Sequence, residues 1–475
     1  MAEFDLAVVG AGAAGLSVAA VASQLGLRVA LIERHRMGGD CLNTGCVPSK
    51  ALLAAAHAAQ EIREAGRYGI HAPGLQIDWA QVQAHVHGAI AAIAPMDSVA
   101  RYTALGVDVV LGTARFIGAD ALEVVMPHGI RRLTARRIVI AAGGRAAIPD
   151  IPGLGTLPTV THETIFTLPG PPDHLVILGG GPIGLEMAQA HAGLGCRVTV
   201  VQRRGLAPRE DPELVAGLRT VLEDQGVVFH EDTSIRRVTP HGVELENGLQ
   251  IPASHLLVAA GRVPNVEGLN LKAAGVDATP QGIVTDAGLR SPTNHQVFAV
   301  GDIADPIGIG PRHFTHVGSY HAGIIVRRAL FRLPAKIDYA ALPRVTFTSP
   351  ELAQVGMTES EARAAGHQTL AILRWPLAEN DRAQAEGRTH GLVKLVARRD
   401  GRLLGAGILA PHAGEMIGTY TLAIARRLKL SDLAGMIVPY PTLAEIGKRA
   451  AGTYFTPKLF SRTTRWIVRQ LSRLP

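Results

Sequence analysis

Two cysteines, Cys41 and Cys46, stand five positions apart in the run Gly38-Gly39-Asp40-Cys41-Leu42-Asn43-Thr44-Gly45-Cys46-Val47-Pro48-Ser49-Lys50. Thiols this close in sequence can close a small-ring disulfide and reopen it. The chain has only one other cysteine, Cys196. A protein this sparing of cysteine has little structural use for one bridge, so the pair reads as redox chemistry. A zinc site would need two more Cys or His ligands at matching spacing, and none is evident, so no metal ligand set is assigned. Cys196 reads as a small packed residue.

The elements that must position the pair are nucleotide folds. The strand Leu6-Ala7-Val8-Val9 runs into Gly10-Ala11-Gly12-Ala13-Ala14-Gly15, a helix through Gln24, and a second strand, Val29-Ala30-Leu31-Ile32, that ends at Glu33. Gly10 makes the turn, Gly12 lets a pyrophosphate approach, and Gly15 lets the helix sit on the strand. Glu33 is placed to accept hydrogen bonds from a ribose. The arrangement recurs at Leu175-Val176-Ile177-Leu178 with Gly179, Gly181 and Gly184, followed by Arg197-Val198-Thr199-Val200-Val201. There the position matching Glu33 is Gln202, followed by Arg203 and Arg204. Loss of the acid and gain of two cations favour a 2′-phosphate, and so NADPH over NADH.

Further strands end in glycine turns at Gly143 and Gly261, and a buried-type strand ends at Gly301-Asp302, whose carboxylate is well placed to meet a ribityl chain. The fold class expected is α/β, with two Rossmann-like nucleotide-binding domains plus an α+β dimerisation domain. Its segments are 1–150 and 276–340 for the first nucleotide fold, 151–275 for the second, 341–455 for the terminal domain, and 456–475 for a tail. A chain of 475 residues is long enough for several cores. No signal-peptide pattern opens it, and no apolar run is long enough to span a bilayer. The formal charge is +7, and Lys458, Arg462, Arg465, Arg469 and Arg473 in the acid-free tail supply most of it. The basic balance is therefore no whole-surface footprint for nucleic acid.

Two nucleotide folds, the C-x4-C segment and the late Gly-Asp together resemble the class I pyridine nucleotide-disulfide oxidoreductases, which include dihydrolipoamide dehydrogenase, glutathione reductase and mercuric reductase. The resemblance spans roughly residues 4–455. It implies FAD in the first fold, with Gly10, Gly12, Gly15, Glu33, Gly39, Lys50, Gly143, Gly301 and Asp302 around it. It implies NAD(P)H in the second, with Gly179, Gly181, Gly184, Gln202, Arg203, Arg204 and Gly261. Cys46 would face the flavin and Cys41 would attack the oxidant. Lys50 would pair with Glu186, and the terminal domain would make a homodimer.

One departure matters. Most members end in His-Pro-Thr-x-x-Glu, whose His moves the thiol proton. This chain has Tyr440-Pro441-Thr442-Leu443-Ala444-Glu445. Tyr cannot act as a cationic partner to a thiolate near neutrality. Mercuric reductases also carry Tyr here, yet they deliver metal through a terminal Cys pair that this chain lacks. The leading expectation is thus a mercuric-reductase-like enzyme reducing a metal ion or small oxidant. Alternatives are a lipoamide- or glutathione-type enzyme with a substitute base, for which His313 and His316 are candidates, and a low-turnover redox sensor. The tail, read as one helix from Lys458, gathers Phe460, Ile467, Leu471 and Leu474 opposite its arginines, with Trp466 between. It suggests peripheral membrane contact by a cytoplasmic protein.

Overall fold

A computed structural model describes residues 2–474. By internal contacts the chain falls into two units, a coarser grouping than the five segments expected. The first comprises the chain through Ala55, Gly74–Pro171 and His255–Ile337; the second comprises Ala56–Pro73, Pro172–Ser254 and the chain from Asp338 onward.

The first unit is built on a five-stranded parallel sheet. Strands β1 (Leu6–Val9) and β2 (Val29–Glu33) pair with Val8 opposite Leu31. The strand Ile138–Ile140 lies on the other side of β1, the strand Val297–Ala299 beyond it, and β3 (Val107–Leu111) beyond β2. All of β1 and β2 is buried, which is why they read as unbroken apolar runs rather than alternating ones. Helix α1 (Ala13–Gln24) connects β1 to β2. Two further helices, α2 (Gly39–Asn43) and α3 (Cys46–Glu64), follow β2 and carry the cysteines.

In the second unit the strands His174–Leu178, Arg197–Val201 and Val227–His230 repeat the parallel pattern. The terminal region forms an antiparallel five-stranded sheet in the order Pro343–Thr346, Glu351–Gly356, Leu403–Ala410, Leu392–Arg398, Leu370–Pro376. Ile408, Leu395 and Val393 meet Ile417, Tyr420 and Ile446 of the covering helices in its core.

The tail corrects one expectation. It is two helices rather than one, Thr456–Leu459 and Arg462–Leu471. Ser461 Oγ accepts from Thr464 N at 3.1 Å and so starts a new helix where the apolar periodicity alone would run through. Leu474 lies beyond the helical residues.

Lys394 holds a buried ionic knot within the second unit. Its ammonium, only 6% exposed, lies 2.9 Å from Asp211, 3.0 Å from Glu213 and 3.4 Å from Glu359. Glu213, bonded first by Arg374 and then by Lys394, and Glu359, bonded first by Arg363, are both held below the ordinary carboxylate range. Lys394→Met leaves these carboxylates facing one another with Asp211 uncompensated, and is expected to cost about 3–5 kcal/mol at neutral pH. Because the native carboxylates have lowered values, their contribution is present above about pH 4.5 and lost as the pH falls through those values. Urea unfolding of both proteins at neutral and acid pH should therefore show the difference narrowing in acid.

Candidate active site

The first nucleotide loop is a set of close approaches that only glycine permits. Gly10 has φ +107°, and a Cβ there would stand 2.4 Å from Ala141 O. A Cβ on Gly15 would stand 1.9 Å from Gly10 O. Gly12 differs: a Cβ there would meet nothing nearer than Gly39 Cα at 3.8 Å, and no side chain caps α1 behind it. Space and unsatisfied N–H groups therefore coincide at the helix start, which fits a phosphate. Glu33 is buried at the end of β2 and accepts from Ala11 N at 2.7 Å and His35 N at 2.8 Å.

Gly38 and Gly39 bring α2 onto this loop. At Gly39, with φ +57°, a Cβ would be 2.7 Å from Gly12 Cα. The cysteine-bearing helix is thus pressed against the nucleotide loop by two facing glycines. The two cysteines are not joined as a disulfide; Cys41 is half-buried and Cys46 exposed. Cys46 begins α3, so its sulfur meets the positive end of that helix. Its Sγ lies 3.2 Å from Thr315 Oγ1. Cys41 is pushed far up by its hydrogen bond to Cys46, with burial and the charge at Cys46 adding to it. Cys41 therefore keeps its proton. Lys50 follows one turn along α3, with Nζ 3.4 Å from Ser49 Oγ.

A second cluster joins the late Gly-Asp to the cysteine segment. Arg262 Nε lies 3.0 Å from Asp302 Oδ2, as an ion pair rather than a directed hydrogen bond. Arg262 Nη2 donates to Asp40 Oδ2 at 2.5 Å and to Gly144 O at 2.8 Å. Its Nη1 lies 2.9 Å from His162 Nε2. Burial raises the Asp40 carboxyl, but His162 and Arg262 outweigh it and hold it below the usual range. Gly301 N donates to His321 Nδ1 at 3.0 Å, and burial pushes that imidazole down to about 4, so it is neutral near pH 7. Gly143, with φ +63°, turns the chain after Ile138–Ile140.

In the second unit the loop recurs. Gly179 has φ +120°, a Cβ on Gly184 would stand 1.9 Å from Gly179 O, and one on Gly181 would meet nothing within 4 Å. Gln202 Oε1 accepts from Gly180 N at 2.8 Å, as Glu33 does from Ala11 N. Arg203 and Arg204 are exposed beside it. Glu231, which accepts from Leu206 N at 2.9 Å, is balanced by Arg219 at 2.9 Å. Glu186 is buried and accepts from Phe347 N at 3.0 Å. Gly261, expected with the nicotinamide nucleotide, belongs to the first unit.

Tyr440 and Glu445 lie in the second unit. The Tyr440 hydroxyl donates to Asp381 Oδ2 at 2.8 Å, and that bond and charge raise it above an ordinary phenol. Glu445 opens the helix Glu445–Thr453 and stands 3.5 Å from Arg449. His316 stacks on Phe314 with ring centroids 5.3 Å apart. Sequence reasoning picked these histidines and passed over Thr315 between them, along with Arg262, Asp40 and His162. No motif marks these four. Their partners are up to 269 residues away.

These loops, thiols and carboxylates recur in known proteins. Residues 4–336 match the pyridine nucleotide-disulphide oxidoreductase model, and residues 342–451 match that family's dimerisation domain. A mercuric reductase of Streptomyces lividans is 38% identical over 95% of this chain and 96% of its own length. A dihydrolipoyl dehydrogenase of Geobacillus stearothermophilus is 32% identical over 94% and 96%. The Cu(II) complex of the HOCl-induced flavoprotein disulfide reductase RclA from Escherichia coli superposes with a TM-score of 0.85 at 28% identity, covering 95% of this chain and all of that one. The dimerisation domain supports a homodimer. The chain belongs to the pyridine nucleotide-disulphide oxidoreductase family: it is a flavoprotein oxidoreductase that binds FAD and uses NAD(P)H.

Proposed function

We propose that the Cys41–Cys46 pair passes electrons from NADPH to a small soft oxidant, a metal ion included, rather than to a peptide-sized anionic disulfide. One observation carries this reading. A cavity of about 440 Å³ in the first unit opens on Cys41. Ser17, Asp97, Tyr102 and Ser319 are the polar residues beside the thiol, the rest of the wall is apolar, and no Lys, Arg or His lines it. Such a wall offers nothing to pair with carboxylates, while paired sulfurs suit a soft cation. The relatives are in keeping: several are named mercuric reductase, and RclA was solved with Cu(II).

The site residues take the following roles in this reading. Gly12 and the start of α1 hold the flavin's pyrophosphate, Glu33 its adenosine ribose, and Asp302 its ribityl chain. Gly181 and the helix Pro182–Gly193 hold the nicotinamide nucleotide's pyrophosphate. Lys50 stands by the flavin. Bound there, FAD would supply two-electron transfer between the nicotinamide and the cysteine pair. Thr315 and the start of α3 hold the charge on Cys46, and Cys41 keeps the proton until an oxidant arrives. A soft cation bound by both sulfurs displaces that proton to water. Dithiol exchange instead asks for a base near neutrality, and Tyr440, raised and tied to Asp381, is not one.

The test is a panel: NADPH oxidation with Hg(II), Cu(II), lipoamide and glutathione disulfide. Metal ions should support turnover that Cys41→Ser abolishes. Faster turnover with either disulfide would overturn the reading. For the nucleotide, changing Arg203 and Arg204 together to Ala should raise the NADPH KM tenfold or more, on the order of the 1.5–3 kcal/mol of one charged hydrogen bond, and leave the NADH KM nearly unchanged. Thr315→Val should slow iodoacetamide labelling of Cys46 near neutrality several-fold, with Thr315→Ser restoring it.

A further inference from the structure

The tail helix Arg462–Leu471 lies outside both matched family segments, which end at residue 451, and none of the roles above uses it. We propose that it is a membrane-surface anchor that lays this enzyme on anionic lipid.

The argument rests on how two kinds of side chain divide around the helix. At about 100° per residue, Ile467, Val468 and Leu471 fall within an arc of about 100°, and Arg462, Arg465 and Arg469 cluster within about 60° on the opposite side. Trp466 borders the arginine face. Arg473 extends that face past the helix end. None of the helix's residues is buried, and Trp466, Val468 and Leu471 are each more than half exposed. Leu459 and Phe460, just ahead of the helix, are exposed to the same degree. An apolar face this open in water is unfavourable, so an occupant is required.

Charge selects the occupant. Residues 456–474 hold five cations and no acid. A second copy of this tail would bring like charge against like. An acyl boundary beneath phosphate headgroups answers both faces at once: the aliphatic arc enters the boundary, the arginines meet phosphates, and an indole at the border sits where Trp is favoured. Each basic residue near such a surface contributes about 1 kcal/mol. The helix is too short to insert across a bilayer, and no helix among the described residues is long and apolar enough to cross one. The contact is therefore peripheral, reversible and dependent on lipid charge.

The test uses the FAD-loaded full chain and phosphatidylcholine vesicles with and without phosphatidylglycerol. The full chain should float with the anionic vesicles at low salt, should not float with the neutral ones, and should release as salt rises. A chain ending at Thr456, and one with Arg462, Arg465, Arg469 and Arg473 changed to Gln, should both stay in the soluble fraction while keeping NADPH oxidation. Tryptophan emission should shift to the blue on binding, and Trp466→Phe should remove that shift. The proposal falls if the full chain fails to float, if the truncated chain floats as well, or if truncation turns the dimer into a monomer in sedimentation, which would assign the face to the second copy.

Discussion

The contact on which the active site depends is the one between Gly12 and Gly39. A side chain on Gly39 would collide with the Gly12 backbone at 2.7 Å, so the two segments approach as closely as bare backbone allows. The nucleotide loop and the cysteine helix thereby share one wall. The same loop that leaves N–H groups and space for a pyrophosphate sets where Cys41 begins. Holding two reacting groups in one frame lowers the entropic cost of bringing them together. Here the frame consists largely of glycines.

A guanidinium closes that frame from the far side. Arg262 reaches Asp302 from one strand end, Asp40 beside Cys41, and Gly144 O at another turn. Three segments distant in sequence thus converge on one planar cation, a geometry that lysine's point charge would not reproduce. His162 adds a fourth partner, 2.9 Å from Nη1. The carboxylate expected at the ribityl chain and the residue preceding the first redox cysteine are mechanically one unit.

What could be read from the sequence is what sterics enforce locally. Each glycine of the two loops stands where a Cβ would collide or where the space is open, so spacing alone revealed both folds, their strands and the one acid, Glu33. The cysteine pair was legible for the same reason, being confined to one short run. The Thr315 contact was not, because it reaches Cys46 from 269 residues away and one threonine leaves no pattern. Nor was the break in the tail. An apolar periodicity ran across Phe460 and Ser461, whereas a serine hydroxyl that can satisfy a free N–H started a second helix.

The duplicated loops separate two jobs that one acid performs elsewhere in the chain. Glu33 both fastens its loop, through Ala11 N, and presents negative charge to whatever lies beyond. Gln202 keeps the fastening bond to Gly180 N at nearly the same length and drops the charge. The loop's shape therefore does not need the carboxylate; only its electrostatics do. With the amide in place, the exposed Arg203 and Arg204 face no opposing charge from position 202, and Glu231 close by is already paired with Arg219. A fold built the same way at both loops thus carries a carboxylate at one strand end and an amide followed by two exposed arginines at the other.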